Sequence, residues 1–177
     1  MRTNIVLTLT GTDRTGIVED ITRLLLNHGG NVETSRMARL GGEFAVLMLV
    51  SMPDEQMVKL ERGIKNLKNQ GFKVTTTRTG QTYAEAHAGW QPYRIEVLGA
   101  DHEGIIHEVA QALSQSGINI ESMDTVTTHS PNSGAPLFSM TALVVVPPSL
   151  SDKNWESALE EAGLSLHVDI KISPALY

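Results

Sequence analysis

The chain has 177 residues, of which 41% are hydrophobic, 19% charged and 5% aromatic, and its formal net charge at pH 7 is −6. This composition fits a globular core of aliphatic side chains, and the negative charge opposes non-specific attraction to nucleic acid or anionic lipid. The absence of cysteine excludes disulfides and thiolate metal sites. No apolar run resembles a signal peptide or reaches the roughly 18 residues of a membrane span, so we expect a cytoplasmic protein.

The first elements along the chain are a strand, a helix and a hairpin. Residues 4–10 (NIVLTLT) are rich in β-formers and predict a strand. Aliphatic residues then recur at helical spacing over 17–25, and Gly29-Gly30 end that helix. Residues 32–40 and 43–51 predict two further strands, because the glycine pair between them tolerates the positive φ angles of a tight hairpin turn.

A second helix and a fourth strand complete this half of the chain. Asp54 is placed to cap a helix over 57–67, whose aliphatic residues share one face. Residues 72–78 follow Gly71 and predict the closing strand. The order of elements is therefore β-α-β-β-α-β.

The second half of the chain repeats the first. Residues 11–18 read GTDRTGIV and residues 99–106 read GADHEGII, at an offset of 88. The aliphatic positions of the helix match at the same offset. Farther along the chain the offset becomes 94, because the second copy gains six residues within 128–136, a run of turn-formers where a hairpin tolerates insertion.

The elements of the second half follow the same order. They are strands at 93–98, 119–128, 137–146 and 165–172, a helix at 104–115, and a helix that Ser151 caps, that passes through Trp155 and Leu159 and that Gly163 ends. We therefore predict an α+β protein of two ferredoxin-like βαββαβ domains, each a four-stranded antiparallel sheet with two helices on one face. The predicted domains are residues 1–79 and 93–177, joined by a linker at 80–92.

Familiar catalytic and cofactor motifs do not fit this sequence. The segment GTDRTGIV lacks the Gly-Lys-Ser/Thr ending of a P-loop and the second glycine of a dinucleotide fingerprint. In HEGIIH, His102 and His107 are five residues apart, so a helix turns their rings about 140° from each other and they cannot share a metal. No nucleophile elbow or carboxylate pair stands out. The sequence therefore predicts no enzyme, no cofactor and no metal.

The repeated residues complement a free amino acid. A helix N-terminus carries unpaired amides and partial positive charge, which suit a carboxylate, and glycine lets a ligand approach the backbone. An acidic side chain suits an ammonium group, and asparagine offers both a donor and an acceptor. The candidate residues are Asp13, Gly16 and Asn31 in the first copy, and Asp101, Gly104 and Asn119 in the second.

A purely structural interpretation of the same residues stays open. An aspartate at a helix start is often only an N-cap, and an asparagine after glycine is often only a turn residue. The glycines can equally serve the packing of helix against strand. Duplication would copy such structural residues as faithfully as functional ones.

The segment GTDRTGIVEDITRLLLNHGGNVETSRMARLGGEFAVLMLVS resembles the ACT domain, a regulatory module that binds amino acids. The resemblance is strong over residues 8–52 and weaker over 95–146, where TTHSPNSGAPLFSM has the look of a second-domain hairpin. It implies a ligand site at the loop after the first strand, usually where two ACT units face each other. It also adds Ile17 and Ile105 to the candidate ligand-binding residues.

Both copies depart from the usual family pattern at one position. The family has proline before the second glycine of the loop, where this chain has Thr15 and Glu103. Threonine only loosens the loop, whereas Glu103 adds an anion beside the expected carboxylate. We therefore rank the first-domain site above the second.

We conclude from the sequence that the chain is a tandem ACT regulatory protein that senses an amino acid and signals to a protein partner. Any regulation of transcription would act through that partner, because all four helices belong to the α/β units and leave no helix-turn-helix for DNA. The alternative is an interaction or assembly module without a ligand site. Edge strands of small sheets can pair with another copy, and the strands EFAVLMLVS and LFSMTALVVVP are apolar on both sides, which indicates that more than one face is covered. We therefore expect a homodimer.

Overall fold

Two separately packed units make up the protein, Met1–Thr82 and Tyr83–Tyr177. The structure is a computed structural model that describes residues 1–80, 87–131, 133–150 and 154–175. Residues 81–86 of the predicted linker lie outside the described residues, as does Ser151, the predicted helix cap. The last two residues of the predicted linker already belong to a strand.

Both units have the element order β-α-β-β-α-β, which confirms the predicted fold class. The first contains β1 (Arg2–Thr12), α1 (Ile17–Asn27), β2 (Asn31–Leu40), β3 (Glu43–Pro53), α2 (Met57–Asn69) and β4 (Lys73–Thr79). The second contains β5 (Gln91–Ala100), α3 (Ile105–Gln115), β6 (Asn119–His129), β7 (Pro136–Val146), α4 (Glu156–Leu166) and β8 (Val168–Pro174).

Each unit has one antiparallel sheet, ordered β2-β3-β1-β4 in the first and β6-β7-β5-β8 in the second. The long central strands pair with both of their neighbours, and the second and fourth strands of each unit form the edges. Gly41 and Gly42 connect β2 to β3 with φ angles of 59° and 88°. A two-residue turn with both φ angles positive matches the twist of the strands, so the hairpin forms as the sequence predicts.

One aliphatic core lies between the sheet and the two helices of each unit. Strand residues alternate, so every second side chain of the central strands is buried while its neighbours face away. In the first unit the buried side chains include Ile5, Leu7, Leu9, Val46, Met48, Ile21, Leu25, Leu60 and Ile64. In the second unit they include Ile95, Val97, Met140, Val144, Val109, Leu113 and Leu159.

Two predicted helix boundaries are wrong. Asp54 opens a 3₁₀ turn, and α2 begins only at Met57 without a side-chain cap. The Asp54 carboxylate instead pairs with Arg78 at 3.0 Å. Gly163 does not end α4 but lies buried inside it, where a Cβ would come within 3.1 Å of the Val168 carbonyl oxygen. This glycine therefore allows close packing of the helix against the following strand.

A β-bulge interrupts β2 and β6 at the same place in the repeat. The pairing register of β2 with β3 shifts between Val32 and Thr34, and that of β6 with β7 shifts between Ile120 and Ser122. One extra residue is accommodated in each edge strand at these points. The bulge is therefore a structural feature that both units share.

Candidate functional site

Each predicted site lies where the first strand of a domain turns into the first helix. Gly16 precedes α1 with φ 88° and Gly104 precedes α3 with φ 97°, a left-handed conformation that favours glycine. Neither helix has a side-chain cap, so the interpretation of Asp13 and Asp101 as N-caps is wrong. The uncapped helix ends keep the amides and the partial positive charge that suit an anion.

The first glycine of each repeated loop has a packing role. A Cβ on Gly11 would lie 2.6 Å from Cδ1 of Phe72, and a Cβ on Gly99 would lie 2.6 Å from Cγ1 of Val168. Phe72 directly precedes β4, and Val168 is the first residue of β8. These glycines therefore bring the first and last strands together, while Gly16 and Gly104 shape the loop.

The two predicted isoleucines belong to the core. Ile17 is 2% exposed and Ile105 is 1% exposed, and both pack among the buried side chains of their own domains. Their side chains anchor the first turn of each helix. Ile105 also lines an open cavity at the start of its helix.

Asn31 and Asn119 lie far from the aspartates of their own domains. Asn31 pairs with Ser51 of β3, and Ser51 pairs in turn with Asn4 near the start of β1. Asp13, in contrast, follows the end of β1. Nine residue steps separate the two levels, roughly 30 Å at the usual strand rise. Asn119 is likewise level with the start of β5. One amino acid therefore cannot contact both residue types within one domain.

Asn119 lines a separate cavity at the far end of α3. This cavity has a volume of about 520 Å³ and is also lined by His87, Trp90 and Ser114. The rings of His87 and Trp90 meet edge to face at 4.7 Å. This aromatic pair is not among the site residues predicted from the sequence.

In the first domain, side chains of the same unit occupy the loop. Nη1 of Arg39 lies 3.4 Å from Oδ2 of Asp13, and the Asp13 amide donates to the Gly42 carbonyl oxygen at 2.9 Å. Arg14 donates to Oδ2 of Asp20 at 2.5 Å and to Oε1 of Gln70 at 2.9 Å. The candidate carboxylate of this domain therefore already has a cation beside it.

In the second domain, the same loop borders an open cavity of about 750 Å³. Its lining includes Asp101, Glu103, Gly104, Thr125 and Thr127. Within the described part of the chain, no hydrogen bond or ion pair reaches the Asp101 carboxylate. An unpaired carboxylate thus lies beside an uncapped helix N-terminus at an accessible cavity.

The difference between the loops follows from two positions on the edge strand. Arg39 lies opposite Phe44 in β3, and Thr127 lies opposite the corresponding Phe138 in β7. Two positions earlier, β2 carries a methionine where β6 carries Thr125. The short threonines leave space open that longer side chains can occupy. The offset of 88 pairs these positions, so the sequence already contains the difference between the two loops.

His102 ties the second loop to the end of α4. Its Nδ1 lies 2.9 Å from the Glu103 carbonyl oxygen and its Nε2 lies 2.8 Å from the Leu166 carbonyl oxygen. Both partners are acceptors, so both ring nitrogens must carry hydrogen and the imidazolium form fits best. The bonds to Glu103 and Leu166, with the charge of Asp101, raise the pKa of His102 above 6.5 against a smaller opposing effect of desolvation.

Arg14 holds the equivalent position in the first loop. Its guanidinium lies 5.3 Å from the ring centroid of Phe72 in addition to its bonds with Asp20 and Gln70. Both domains therefore use a cation to fasten the loop to the region between the second helix and the last strand. The charge is permanent in the first domain and depends on pH in the second.

Among the residues the structure describes, no group of three or more His, Asp or Glu side chains is arranged to hold a metal ion. No helix in the described ranges is long and apolar enough to cross a membrane.

Known proteins match both the first domain and the whole chain. The ACT domain model matches residues 3–77. A segment of 47 residues is 51% identical to the glycine cleavage system transcriptional repressor of Escherichia coli (strain K12), covering 27% of this chain and 25% of that protein. The Shigella flexneri protein of the same name matches equally. The matched segment thus spans about a quarter of the length of these curated relatives.

Two solved structures extend the likeness to both domains. An uncharacterised protein from Galdieria sulphuraria is 32% identical, with a TM-score of 0.82 over 99% of this chain and 100% of that one. A structure assigned provisionally to a glycine cleavage system transcriptional repressor is 23% identical, with a TM-score of 0.72 over 100% of this chain and 99% of that one. The second likeness shows the tandem fold alone.

Proposed function

We propose that the chain is a regulatory protein of two ACT-type domains in tandem, without catalytic activity; the ACT domain model over residues 3–77 and the repeated fold of the second unit support this. It binds a free amino acid and passes the signal to a protein partner. The similarity to the glycine cleavage system transcriptional repressor supports control of glycine cleavage gene expression as the process. The net charge of −6 supports action through a partner rather than direct contact with DNA.

The proposed ligand site is the open cavity of the second domain. One observation carries this choice: the Asp101 carboxylate, which makes no hydrogen bond or salt bridge among the described residues and interacts only with the charge of the adjacent His102, lies beside the uncapped N-terminus of α3. The ammonium group of the ligand binds Asp101, and its carboxylate accepts hydrogen bonds from the first amides of α3 after Gly104. The exposed Ile106 offers an apolar surface to the ligand side chain.

This choice reverses the ranking made from the sequence. Glu103 also lines the cavity, and its negative charge favours the ammonium group of the ligand while it opposes the carboxylate. In the first domain, an ammonium group would have to displace Arg39 from Asp13. The first-domain residues thus form a weaker site of the same kind, because Arg39 competes with the ligand for Asp13.

A second copy of the chain completes the site in this proposal. Because Asn31 and Asn119 lie at the opposite end of their own sheets from the loops, each contributes to a ligand held by a loop of the second copy. Pairing of edge strands in a homodimer brings such groups together, since β2, β4, β6 and β8 each pair with a strand on one side only among the described residues. Asparagine then supplies the donor and acceptor that the loop lacks.

A thermal-shift screen of the twenty common amino acids tests the proposal. An amino acid at 100 times its dissociation constant stabilises the fold by about 2.7 kcal/mol, enough for a clear rise in melting temperature. Asp101→Asn removes the charge that holds the ammonium, so we expect it to abolish the shift. Asp13→Asn is the matched control and leaves the shift in place.

The alternative function predicts a different result. If no amino acid raises the melting temperature even at millimolar concentration, ligand sensing is refuted. The chain is then an interaction or assembly module whose loops serve only the fold. A shift that Asp13→Asn abolishes and Asp101→Asn preserves would return the site to the first domain.

A further inference from the structure

The cavity at the far end of α3, which we call the His87–Trp90 cavity, combines an aromatic pair with small side chains. The rings of His87 and Trp90 meet at 4.7 Å, and both are partly exposed. Helix α3 contributes Ala110 and Ser114, which are four residues apart and therefore share one face of the helix. The volume of about 520 Å³ lies within the usual range for sites that bind small molecules.

The first domain carries different residues at the equivalent positions. At the offset of 88, Trp90 corresponds to Arg2 and Ser114 corresponds to Leu26. The Arg2 guanidinium donates a hydrogen bond to the Gly29 carbonyl oxygen at 3.2 Å, in the turn after α1, and Leu26 is 73% exposed. A cation and a large aliphatic side chain thus lie where the second domain has an aromatic ring and a hydroxyl. Both domains have the same fold, so the fold does not require the ring or the hydroxyl.

The charges in and around the His87–Trp90 cavity favour an uncharged ligand. Among the described residues, none that lines the cavity is a lysine, arginine, aspartate or glutamate. Residues 83–177, the unit that contains the cavity, include three Lys and Arg against twelve Asp and Glu. A phosphate or carboxylate group would therefore find no lysine or arginine in the cavity, and the negative charge of the unit would repel it.

The polar side chains of the cavity suit the edge of a heteroaromatic ring. The Ser114 hydroxyl can donate or accept a hydrogen bond, and the Asn119 amide presents a donor and an acceptor side by side. A planar amide of this kind matches the neighbouring donor and acceptor of adenine. The aromatic pair suits the face of the same ring, because bases stack on aromatic side chains through their π-faces.

We propose that the His87–Trp90 cavity binds an uncharged purine ring, as the free base or the nucleoside. The face of the ring stacks on Trp90, and its edge forms hydrogen bonds with the Ser114 hydroxyl and the Asn119 amide. The cavity lies at the end of α3 that is opposite the loop after β5. It is therefore a second ligand site of this domain, beyond the amino-acid site of the proposed function.

Tryptophan fluorescence of the full chain tests the proposal with adenosine as the probe. The chain has two tryptophans, of which Trp90 lines the cavity and Trp155 lies in the core at 8% exposure. We expect adenosine to quench the emission to a saturating level, and Trp155→Phe should keep this quenching. Ser114→Leu introduces the side chain of the first domain and fills the cavity, so it should abolish the quenching while Trp90 remains as the reporter.

The matched control is Gln111→Leu, which places the same side chain on an exposed position of α3 outside the cavity and should leave the quenching unchanged. Circular dichroism checks that all variants fold. Asn119 also has a role in the proposed amino-acid site, so the variants leave it in place. Indole has a donor but no acceptor, so it should bind about tenfold more weakly than adenosine, the usual effect of losing a neutral hydrogen bond. A wild type without saturable quenching, quenching that Ser114→Leu retains, or equal binding of indole and adenosine would each overturn the proposal.

Discussion

The loops after β1 and β5 have the same backbone but different electrostatic surroundings. Both place a left-handed glycine before an uncapped helix, and both bring a glycine against the entrance of the last strand. In the first domain Arg39 reaches Asp13, whereas in the second Thr127 stands at the corresponding position and no side chain of the described residues forms a salt bridge with Asp101. The fold therefore needs the glycines in both copies, while the side chains of the edge strand decide whether the loop is occupied or open.

The largest effect is expected where the two domains are most alike. Gly99→Ala should destabilise the second domain by about 1–3 kcal/mol, because the new Cβ would meet Val168 at 2.6 Å, with its Cα only 3.2 Å away. Gly11→Ala should cost less, since the ring of Phe72 can shift. Urea unfolding measures both. Gly80→Ala, with no neighbouring atoms to meet, is the control, and equal stability of all three would refute the shared packing role.

Exchanging the edge-strand residues should exchange the properties of the two sites. Thr127→Arg should weaken binding of the amino acid found by thermal shift more than tenfold, about 1.4 kcal/mol, by pairing Asp101 internally. Arg39→Thr should free Asp13 and raise the calorimetric stoichiometry from one ligand per chain to two. An unchanged affinity for Thr127→Arg would show that the open carboxylate does not bind the ligand.

His102 and Arg14 hold the two loops, and their contributions to stability should depend differently on pH. Because the bonds to Glu103 and Leu166 raise the pKa of His102 above 6.5, its contribution to stability is complete below 6.5 and is lost as pH rises through the folded-state pKa. Asp101, Glu103, His107 and His167 are the other titratable groups nearby.

Melting temperatures of His102→Gln and the wild type should therefore differ at about pH 5.5 and converge by about pH 8.5. The corresponding comparison for Arg14→Gln should give a difference that is constant over this range, because arginine stays charged. A constant difference for His102→Gln would mean that the imidazolium does not hold the loop.

The smallest effect is expected at the start of α2. Asp54 forms an exposed ion pair with Arg78, where the second domain has Pro148 at the corresponding turn. Asp54→Ala should destabilise the first domain by at most about 1 kcal/mol, and added salt should remove the difference. Urea unfolding at low and high salt measures it. A loss that persists at high salt would mean that Asp54 acts as a helix cap after all.

Repetition and alternation made the fold predictable from the sequence. The strands alternate buried and exposed residues, and the helices carry aliphatic residues at helical spacing. The pair Gly41-Gly42 favours a tight hairpin turn, because glycine tolerates positive φ angles. Local rules failed where tertiary packing overrides them. Gly163 has the composition signal of a helix end, but its real neighbours are Val168 and Ile170 of the next strand.

The candidate site was predictable only in part. The sequence locates the loop residues Asp13 and Asp101, but nothing local reveals that Asn31 lies a full strand length from Asp13. The reach of Arg39 depends on the register between β2 and β3, which the sequence does not specify directly. Long-range pairing is therefore the missing information.

The bulges at Glu33 and Glu121 set the phase of the edge strands. Val32 and its counterpart Ile120 pack against the core. After the bulge, the odd-numbered residues of each edge strand lie opposite buried residues of the neighbouring strand and face the same side as the core. Deleting Glu121 would turn Thr127 away from the cavity and bring an adjacent residue into its place, because side chains alternate with a period of two. A single residue near one end of the sheet thus determines, from a distance, which side chains are available for chemistry at the other end.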